Sequence, residues 1–254
     1  MVHDRCAGDK RRKMPVYILF IYVFLSGLAA SRPGDGAQAG SVDCISQSRN
    51  QIELNECVGR ESQAADERLN LVYQRLMSAL DDPQKEKLKI AERHWIAHRD
   101  AVRKLGGISF SGGKGQWSVM EWNKVLATRA RIVELEEIET RGLRRKIDSC
   151  PGKSSTELTS CLEKLFEKAD GDLNKIYRKC LRKVSCENTS CEVRDLQRAW
   201  IPFRDANADF YAEHFAGEGI SLSADDVKIL VKLRMTNEQK KFLIDNMNFD
   251  GGLQ

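Results

Sequence analysis

The residues of this chain that could support catalysis or bind a metal are its four histidines and eight cysteines. His94 and His98 stand four positions apart, which would place two imidazoles on one turn of a helix, as in helical zinc sites. No glutamate follows the first histidine in a His-Glu-x-x-His arrangement. His98 also fits the apolar stripe of its helix, so it is interpreted as a packing residue and no metal site is predicted.

No arrangement of side chains typical of a catalytic mechanism was found in the sequence. There is neither a Gly-x-Ser-x-Gly elbow nor a glycine-rich phosphate loop. The carboxylate pairs Glu136–Glu137 and Asp225–Asp226 fall on stretches that we expect to be solvated, and adjacent helical residues do not face each other. We therefore predict a protein that is not an enzyme and uses no cofactor; an enzyme acting on cell-wall polymer is the less favoured alternative.

Seven cysteines follow the N-terminal segment, and they are interpreted as a disulfide framework. The six assigned to bridges are Cys44, Cys57, Cys150, Cys161, Cys186 and Cys191. Pairing among Cys180, Cys186 and Cys191 is left open. Because seven is an odd number, at least one thiol must be free or bridged to another chain. Zinc binding by these three is the alternative, but their spacing is unusual for zinc and no histidine is near.

The N-terminal segment has the layout of a secretory signal peptide. Basic residues at positions 10–13 precede an uncharged apolar run at 16–30, which falls short of the roughly 20 apolar residues that span a bilayer. Residues 1–39 are therefore interpreted as a signal peptide with a short linker, in preference to a membrane anchor or a lipoprotein signal. The protein is expected in the periplasm or outside the cell, where disulfides persist.

The composition after residue 39 argues against a nucleic-acid partner. Removing residues 1–39 leaves 35 basic and 34 acidic residues, a formal charge of +1. A nucleic-acid-binding surface needs clustered basic residues, which this nearly neutral balance does not favour.

A tandem repeat is the most informative pattern in the chain. Two cysteines followed by Asp-x-x-Leu-Asn-x-x-Tyr occur within residues 44–73 and again within 150–177, with the two aspartates 104 positions apart. The run Trp-Ile-x-x-Arg-Asp-Ala at 95–101 recurs 105 positions later, at 200–206. A weaker third match aligns Thr128 to Leu135 with Thr236 to Leu243. Three matches in the same order at nearly constant offset indicate a duplication.

Each copy is predicted to form three amphipathic helices. Apolar residues recur three or four positions apart before and after Asp82-Pro83, which is interpreted as the N-cap and first residue of the second helix. The third helix is expected at about 122–139, after a glycine- and serine-rich loop at 105–115. The predicted fold is all-α, with two tandem three-helix disulfide-containing units at residues 40–146 and 147–254.

The order of these motifs resembles the LprI-type lysozyme-inhibitor domain, twice over nearly the whole chain after the signal peptide. The resemblance rests on the cysteine pair, the Asp-x-x-Leu-Asn-x-x-Tyr block and the Trp-Ile-x-x-Arg-Asp block. It implies a small α-helical envelope protein whose family is named for the inhibition of lysozyme. The sequence departs from the family where members carry a cysteine soon after Arg-Asp, and where Pro202 lies inside the second Trp helix.

The repeated polar residues have two interpretations. In the functional one, they form a surface for a protein partner such as lysozyme, made of Trp95, Arg99, Asp100, Trp200, Arg204 and Asp205. In the structural one, which we favour, Asp66 accepts from Arg99 and Asp170 accepts from Arg204, so that each pair ties two helices together. The leading functional hypothesis is a secreted or periplasmic inhibitor of lysozyme-type muramidases; the alternative is an envelope interaction module or scaffold without inhibitory activity.

Overall fold

The described part of the protein consists of helices and short connections, without strands. A computed structural model describes residues 44–107, 113–141, 150, 155–184, 190–215 and 222–246. After a short helical turn at 44–47, the helices are α1 (Gln51–Ala79), α2 (Asp82–Gly106), α3 (Gln116–Arg141), α4 (Ser155–Val184), α5 (Ser190–Phe215) and α6 (Ala224–Asn246). The prediction of an all-α fold with two tandem three-helix units is therefore confirmed. The predicted signal peptide at 1–39 lies outside the described residues.

The helix ends follow local capping chemistry. The side chain of Asp81 accepts from the backbone N–H of Gln84, whose side chain accepts in return from the N–H of Asp81. This capping box makes Asp81 the N-cap of α2, one residue before the predicted position. Helix α2 also continues to Gly106, inside the predicted loop. A Cβ at Gly106 would collide with the side chain of Asn123 of α3, so glycine allows the two helices to approach each other here.

Two further sequence predictions differ from the structure near helix starts. Helix α3 begins at Gln116, about six residues before the predicted start. Asp226 is buried rather than solvated, because it accepts from the backbone and hydroxyl of Ser223 and from the hydroxyl of Thr159. These bonds cap α6 and attach its first turn to α4. Helix α5 remains continuous through Pro202.

Disulfides close the start of each half. Cys44 is bonded to Cys57 and Cys150 to Cys161, as the paired cysteines of the repeat predict. The prediction of a bridge at Cys191 is wrong, because its thiol is free and exposed; Cys186 lies outside the described residues. Cys180 is also a free thiol, and burial raises its pKa to about 11.

All six helices contribute to one large apolar cluster, and a smaller cluster lies around Cys150, Leu162 and Leu230. Helix α3 packs on both α1 and α2, and α6 packs on both α4 and α5, so the halves repeat one arrangement. The most extensive contact among the described helices, however, joins the halves and lies between α2 and α5. Trp95 and Trp200 belong to the same buried cluster. The tandem units therefore share a core. None of the described helices is long and apolar enough to cross a membrane.

Equivalent residues of the two halves meet at the centre of the α2–α5 contact. His98 aligns with Phe203 in the repeat, and their rings stack with centroids 5.6 Å apart and planes 18° apart. A residue that contacts its own counterpart is characteristic of a two-fold, isologous interface. The duplication therefore packs in the manner of a dimer whose subunits have been joined in one chain.

Replacement of His98 by phenylalanine, the residue of the second half, is expected to make the protein more tolerant of acid. Burial lowers the pKa of His98 to about 4, and its Nδ1 has no hydrogen-bond partner among the described residues. In the unfolded chain the pKa of this histidine is about 6.5. Below that pH the unfolded chain is protonated at this position while the folded chain is not, so the folded state loses stability as the pH falls from about 6.5 towards 4.

Urea unfolding at pH 7 and pH 4.5 measures this effect. Between these values the wild type should lose about 2 to 3 kcal/mol more than the His98→Phe variant. Equal losses in the two proteins would show that His98 protonates as readily in the folded chain as in the unfolded one. The other acid-titrating groups are common to both proteins and cancel in the comparison.

A buried ionic network joins α3 to the second half. Arg131 is fully buried and donates to Glu92 of α2 at 2.7 Å, to Glu134 at 2.7 Å and to Asn207 of α5 at 3.0 Å. Glu134 in turn accepts from Asn207 at 2.9 Å and from Arg234 of α6 at 2.6 Å. Each buried charge is thus paired and hydrogen-bonded, the condition under which such groups are tolerated.

The protonation states of this network follow from its ion pairs. Burial alone would raise the pKa of Glu134, but the charges of Arg131 and Arg234, with hydrogen bonds from Arg131 and Asn207, outweigh it and lower the pKa to about 2. Burial alone would lower the pKa of Arg131, but Glu92 and Glu134 raise it instead. The network is consequently ionised across the physiological pH range.

Candidate partner-binding site

The two repeated tryptophans are buried beneath the other residues of the predicted site. Trp95 is 4% exposed and Trp200 is 3% exposed, so both indoles are core residues. The guanidinium of Arg99 lies over the Trp95 ring at 5.2 Å, and that of Arg204 lies over Trp200 at 5.1 Å. Residues four apart on a helix share a face, and an arginine stacks favourably on an indole. The spacing in the Trp-Ile-x-x-Arg motif therefore fixes each arginine over its tryptophan.

Each of these arginines also bridges two helices. Arg99 lies 3.7 Å from Asp66 of α1, and Arg204 lies 3.5 Å from Asp170 of α4. The structural interpretation of the repeated aspartates as ion-pair partners is confirmed in both halves. The lysine of the third helix pairs differently in the two halves: Asp66 accepts from Lys124 of α3 at 2.7 Å, whereas Lys232 of α6 lies 3.3 Å from Asp205.

The part of the predicted site that reaches solvent consists of the second residue of each Arg-Asp pair. Asp100 accepts from Arg99 at 3.0 Å, and Asp205 accepts from Arg204 at 2.9 Å. Both carboxylates are exposed, while both arginines are largely covered. A partner approaching this surface would thus meet carboxylates held in place by arginines that stack on buried indoles.

The isoleucine that follows each tryptophan is also exposed. Ile96 is 43% exposed and Ile201 is 42% exposed. Two counterparts with nearly equal exposure mean that each half presents a similar apolar side chain outside the core. Single exposed apolar residues are common on protein surfaces, so these positions mark the outer face of α2 and α5 without defining a site.

The first half contains an open polar depression beside Asp100. It has a volume of about 410 Å³ and is lined by Asp100, Arg103, Lys104, Glu121 and Lys124. These lining residues belong to the last turns of α2 and the first turns of α3. Since two of these residues are acidic and three are basic, the depression presents donors and acceptors to a polar ligand.

Glu121 organises the floor of this depression. It accepts from Ser62 at 2.7 Å and from Arg103 at 3.0 Å, and it lies 3.3 Å from Lys124. Burial would raise its pKa, but these hydrogen bonds and the charge of Lys124 lower it. Glu121 is thus an ionised anchor for two cations, and Lys104, at the exposed rim, is the remaining basic residue of the lining.

Metal binding finds no support in the described residues. No group of three or more histidine, cysteine, aspartate or glutamate side chains in the described ranges is arranged to hold an ion. His98 packs on Phe203, as its position on the apolar stripe predicts.

Sequence reasoning missed the depression and the buried network. Arg103, Lys104 and Glu121 lie outside the repeated motifs, and nothing in the local sequence predicts that α2 and α3 bring them together. Nothing in the local sequence indicates that Arg131 and Glu134 are covered by residues of both halves. For Asp226 a signal was present, because Ser223-x-x-Asp226 matches a capping box.

Taken together, the features define a class: a tandem, all-helical, disulfide-containing protein with a duplicated Trp-Arg-Asp surface motif. The sequence profile of the family described as "Lysozyme inhibitor LprI" matches residues 44–135 and 148–243, one match in each half. These segments cover more than half of the chain. The protein therefore belongs to the lysozyme inhibitor LprI family.

Two individual proteins are similar to this chain. An uncharacterized protein from Rhizobium meliloti (strain 1021) is 30% identical over 115 residues, which cover 40% of this chain and 82% of that protein. The crystal structure of an uncharacterized protein from Burkholderia thailandensis matches with a TM-score of 0.48 and 15% identity, covering 83% of this chain and 98% of the other.

Proposed function

We propose that this protein is an exported binding protein that inhibits a lysozyme-type muramidase. The observation that carries the proposal is the match of both halves to the lysozyme inhibitor LprI family. Two disulfides in the described chain suit the periplasm or the cell exterior, where thiols are oxidised. A protein of this function binds its enzyme through a surface and needs no catalytic group of its own.

The proposed contact surface includes the two Arg-Asp pairs. Asp100 and Asp205 are exposed and oriented by Arg99 and Arg204, so they can accept hydrogen bonds from a partner without further ordering. Preorganised side chains lower the entropic cost of binding. In this proposal Trp95 and Trp200 support the surface from the core and do not contact the partner.

A turbidity assay tests the proposal. Lysozymes of several classes clear a suspension of bacterial cells, and the purified oxidised protein should slow the clearing by at least one class at near-stoichiometric concentration. An unrelated protein of similar charge serves as the control. Absence of inhibition for every class would overturn the proposal.

The second candidate function is a scaffold of the cell envelope without inhibitory activity. The observation that favours it is the repetition of the same Arg-Asp arrangement in both halves, which suits a bivalent surface. Capture of a non-lysozyme envelope protein by a chain that inhibits no lysozyme would support this function.

A further inference from the structure

The two halves can be compared position by position, because pairs of equivalent residues are hydrogen-bonded in both. Ser118 of α3 donates to Asn55 of α1 in the first half, and Thr159 of α4 donates to Asp226 of α6 at the matching positions of the second half. The buried Arg131–Glu92 ion pair is likewise matched by a buried hydrogen bond from Gln239 to Gln197. These counterparts fix the alignment of α3 with α6 and of α2 with α5.

The first half carries an exposed aromatic residue beside its depression. Trp117 is 43% exposed, and the end of its indole lies above Gly59 of α1, where a Cβ would be 3.9 Å away. It stands one helical turn before Glu121, which lines the depression, so both lie on the same face of α3. Arg103 and the exposed Lys104 face the same space from α2. Trp and Arg are the residues most enriched in energetic hot spots of interfaces.

The second half has lost this combination. The counterparts of Trp117, Glu121, Arg103 and Lys104 are Asp225, Ile229, Ala208 and Asp209. Of these, Ala208 is fully buried, and Asp209 is paired with Lys228 at 3.0 Å. The aromatic residue is thus replaced by an acid, and the rim lysine is replaced by a residue of opposite charge.

We propose that only the first half engages the enzyme, with Trp117 as the aromatic anchor and Lys104 directed at acidic residues of the enzyme's cleft. This inference rests on the proposed function and narrows its contact surface to the first half, which leaves the Arg204–Asp205 pair of the second half outside the contact. Glycoside hydrolases cleave with a pair of carboxylic side chains at the scissile bond, so their clefts present negative charge. The exposed Lys104 complements such a cleft, whereas the exposed Asp225 of the second half would repel it.

The second half then serves as the structural support of the first. Its helix α5 covers α2, and its Asn207 and Arg234 complete the ionic network around Arg131 and Glu134. This division of roles explains how one copy of the site could diverge while both copies of the Trp-Arg-Asp motif were kept for stability.

Paired substitutions in the two halves of the full chain test the inference. Trp117→Ala and Lys104→Glu change exposed side chains of the first half, and Asp225→Ala and Asp209→Ala change their counterparts. For the lysozyme that the wild type inhibits, each first-half variant should raise the inhibitory concentration at least about tenfold, and each second-half variant should leave it within about twofold. Circular dichroism should show the same melting temperature for both exposed first-half variants and the wild type.

The outcomes separate the two proposals. If the wild type inhibits a lysozyme and the second-half variants weaken it while the first-half variants do not, the assignment of the binding half is overturned and the inhibitor function stands. Equal losses from both halves would also overturn it, because they would require two binding faces. If the wild type inhibits no lysozyme, the proposed function itself fails and the inference fails with it.

Discussion

Replacement of Glu134 by alanine is expected to lower the free energy of unfolding by about 3 to 5 kcal/mol, because it removes the carboxylate shared by Arg131 and Arg234 and leaves Arg131 with Glu92 alone. Glu134 lies 2.7 Å from Arg131 and 2.6 Å from Arg234 and accepts from Asn207 at 2.9 Å. The side chain of Arg131 is completely buried, so water cannot replace the lost carboxylate. Because the network joins the two halves, its loss should destabilise both of them.

Urea denaturation followed by circular dichroism measures this loss. Glu137→Ala, an exposed position of the same helix, is the matched control and should change stability by less than about 0.5 kcal/mol. The low pKa of Glu134 predicts that its contribution is complete above about pH 4.5 and is lost as pH falls towards 2, so the gap between variant and wild type should narrow in acid. A variant as stable as the control at pH 7 would contradict the ionic network.

Replacement of Trp200 by alanine is expected to destabilise both halves, although the substitution lies in the second. Deletion of a buried tryptophan side chain costs about 3 to 5 kcal/mol. Trp200 is 3% exposed and belongs to the cluster that also contains Trp95 of the first half. Because the halves share this core, they should unfold in one transition.

Hydrogen exchange resolved by segment distinguishes a shared core from two separate ones. In the Trp200→Ala variant, the amides of α1 to α3 should lose protection along with those of α4 to α6. Trp117→Ala is the control, since its exposed indole contributes little to the core. Wild-type protection in α1 to α3 of the Trp200→Ala variant would indicate two independently folding units.

Local patterns in the sequence were sufficient for the elements and for contacts within a half. The apolar spacing gave the helices, since a helical face repeats every three or four residues, and the paired cysteines at the start of each copy gave both bridges. The Asp66–Arg99 and Asp170–Arg204 pairs could be predicted because the motifs recur together, which indicates that their residues act together. The bridge at Cys191 was wrong because spacing alone does not determine which thiols meet.

The residues that make contacts between the two halves lie far apart along the chain, so local patterns do not pair them. The sequence by itself determined that this is a duplicated, disulfide-pinned helical protein, because duplication, helical period and cysteine pairs are readable from spacing. Only the tertiary structure decided that His98 meets Phe203, that Arg131 is buried among residues of both halves, and that Arg103 and Glu121 line one depression. The physical reason is that burial and charge pairing depend on which helix faces oppose each other, and that choice is made by packing of the whole chain.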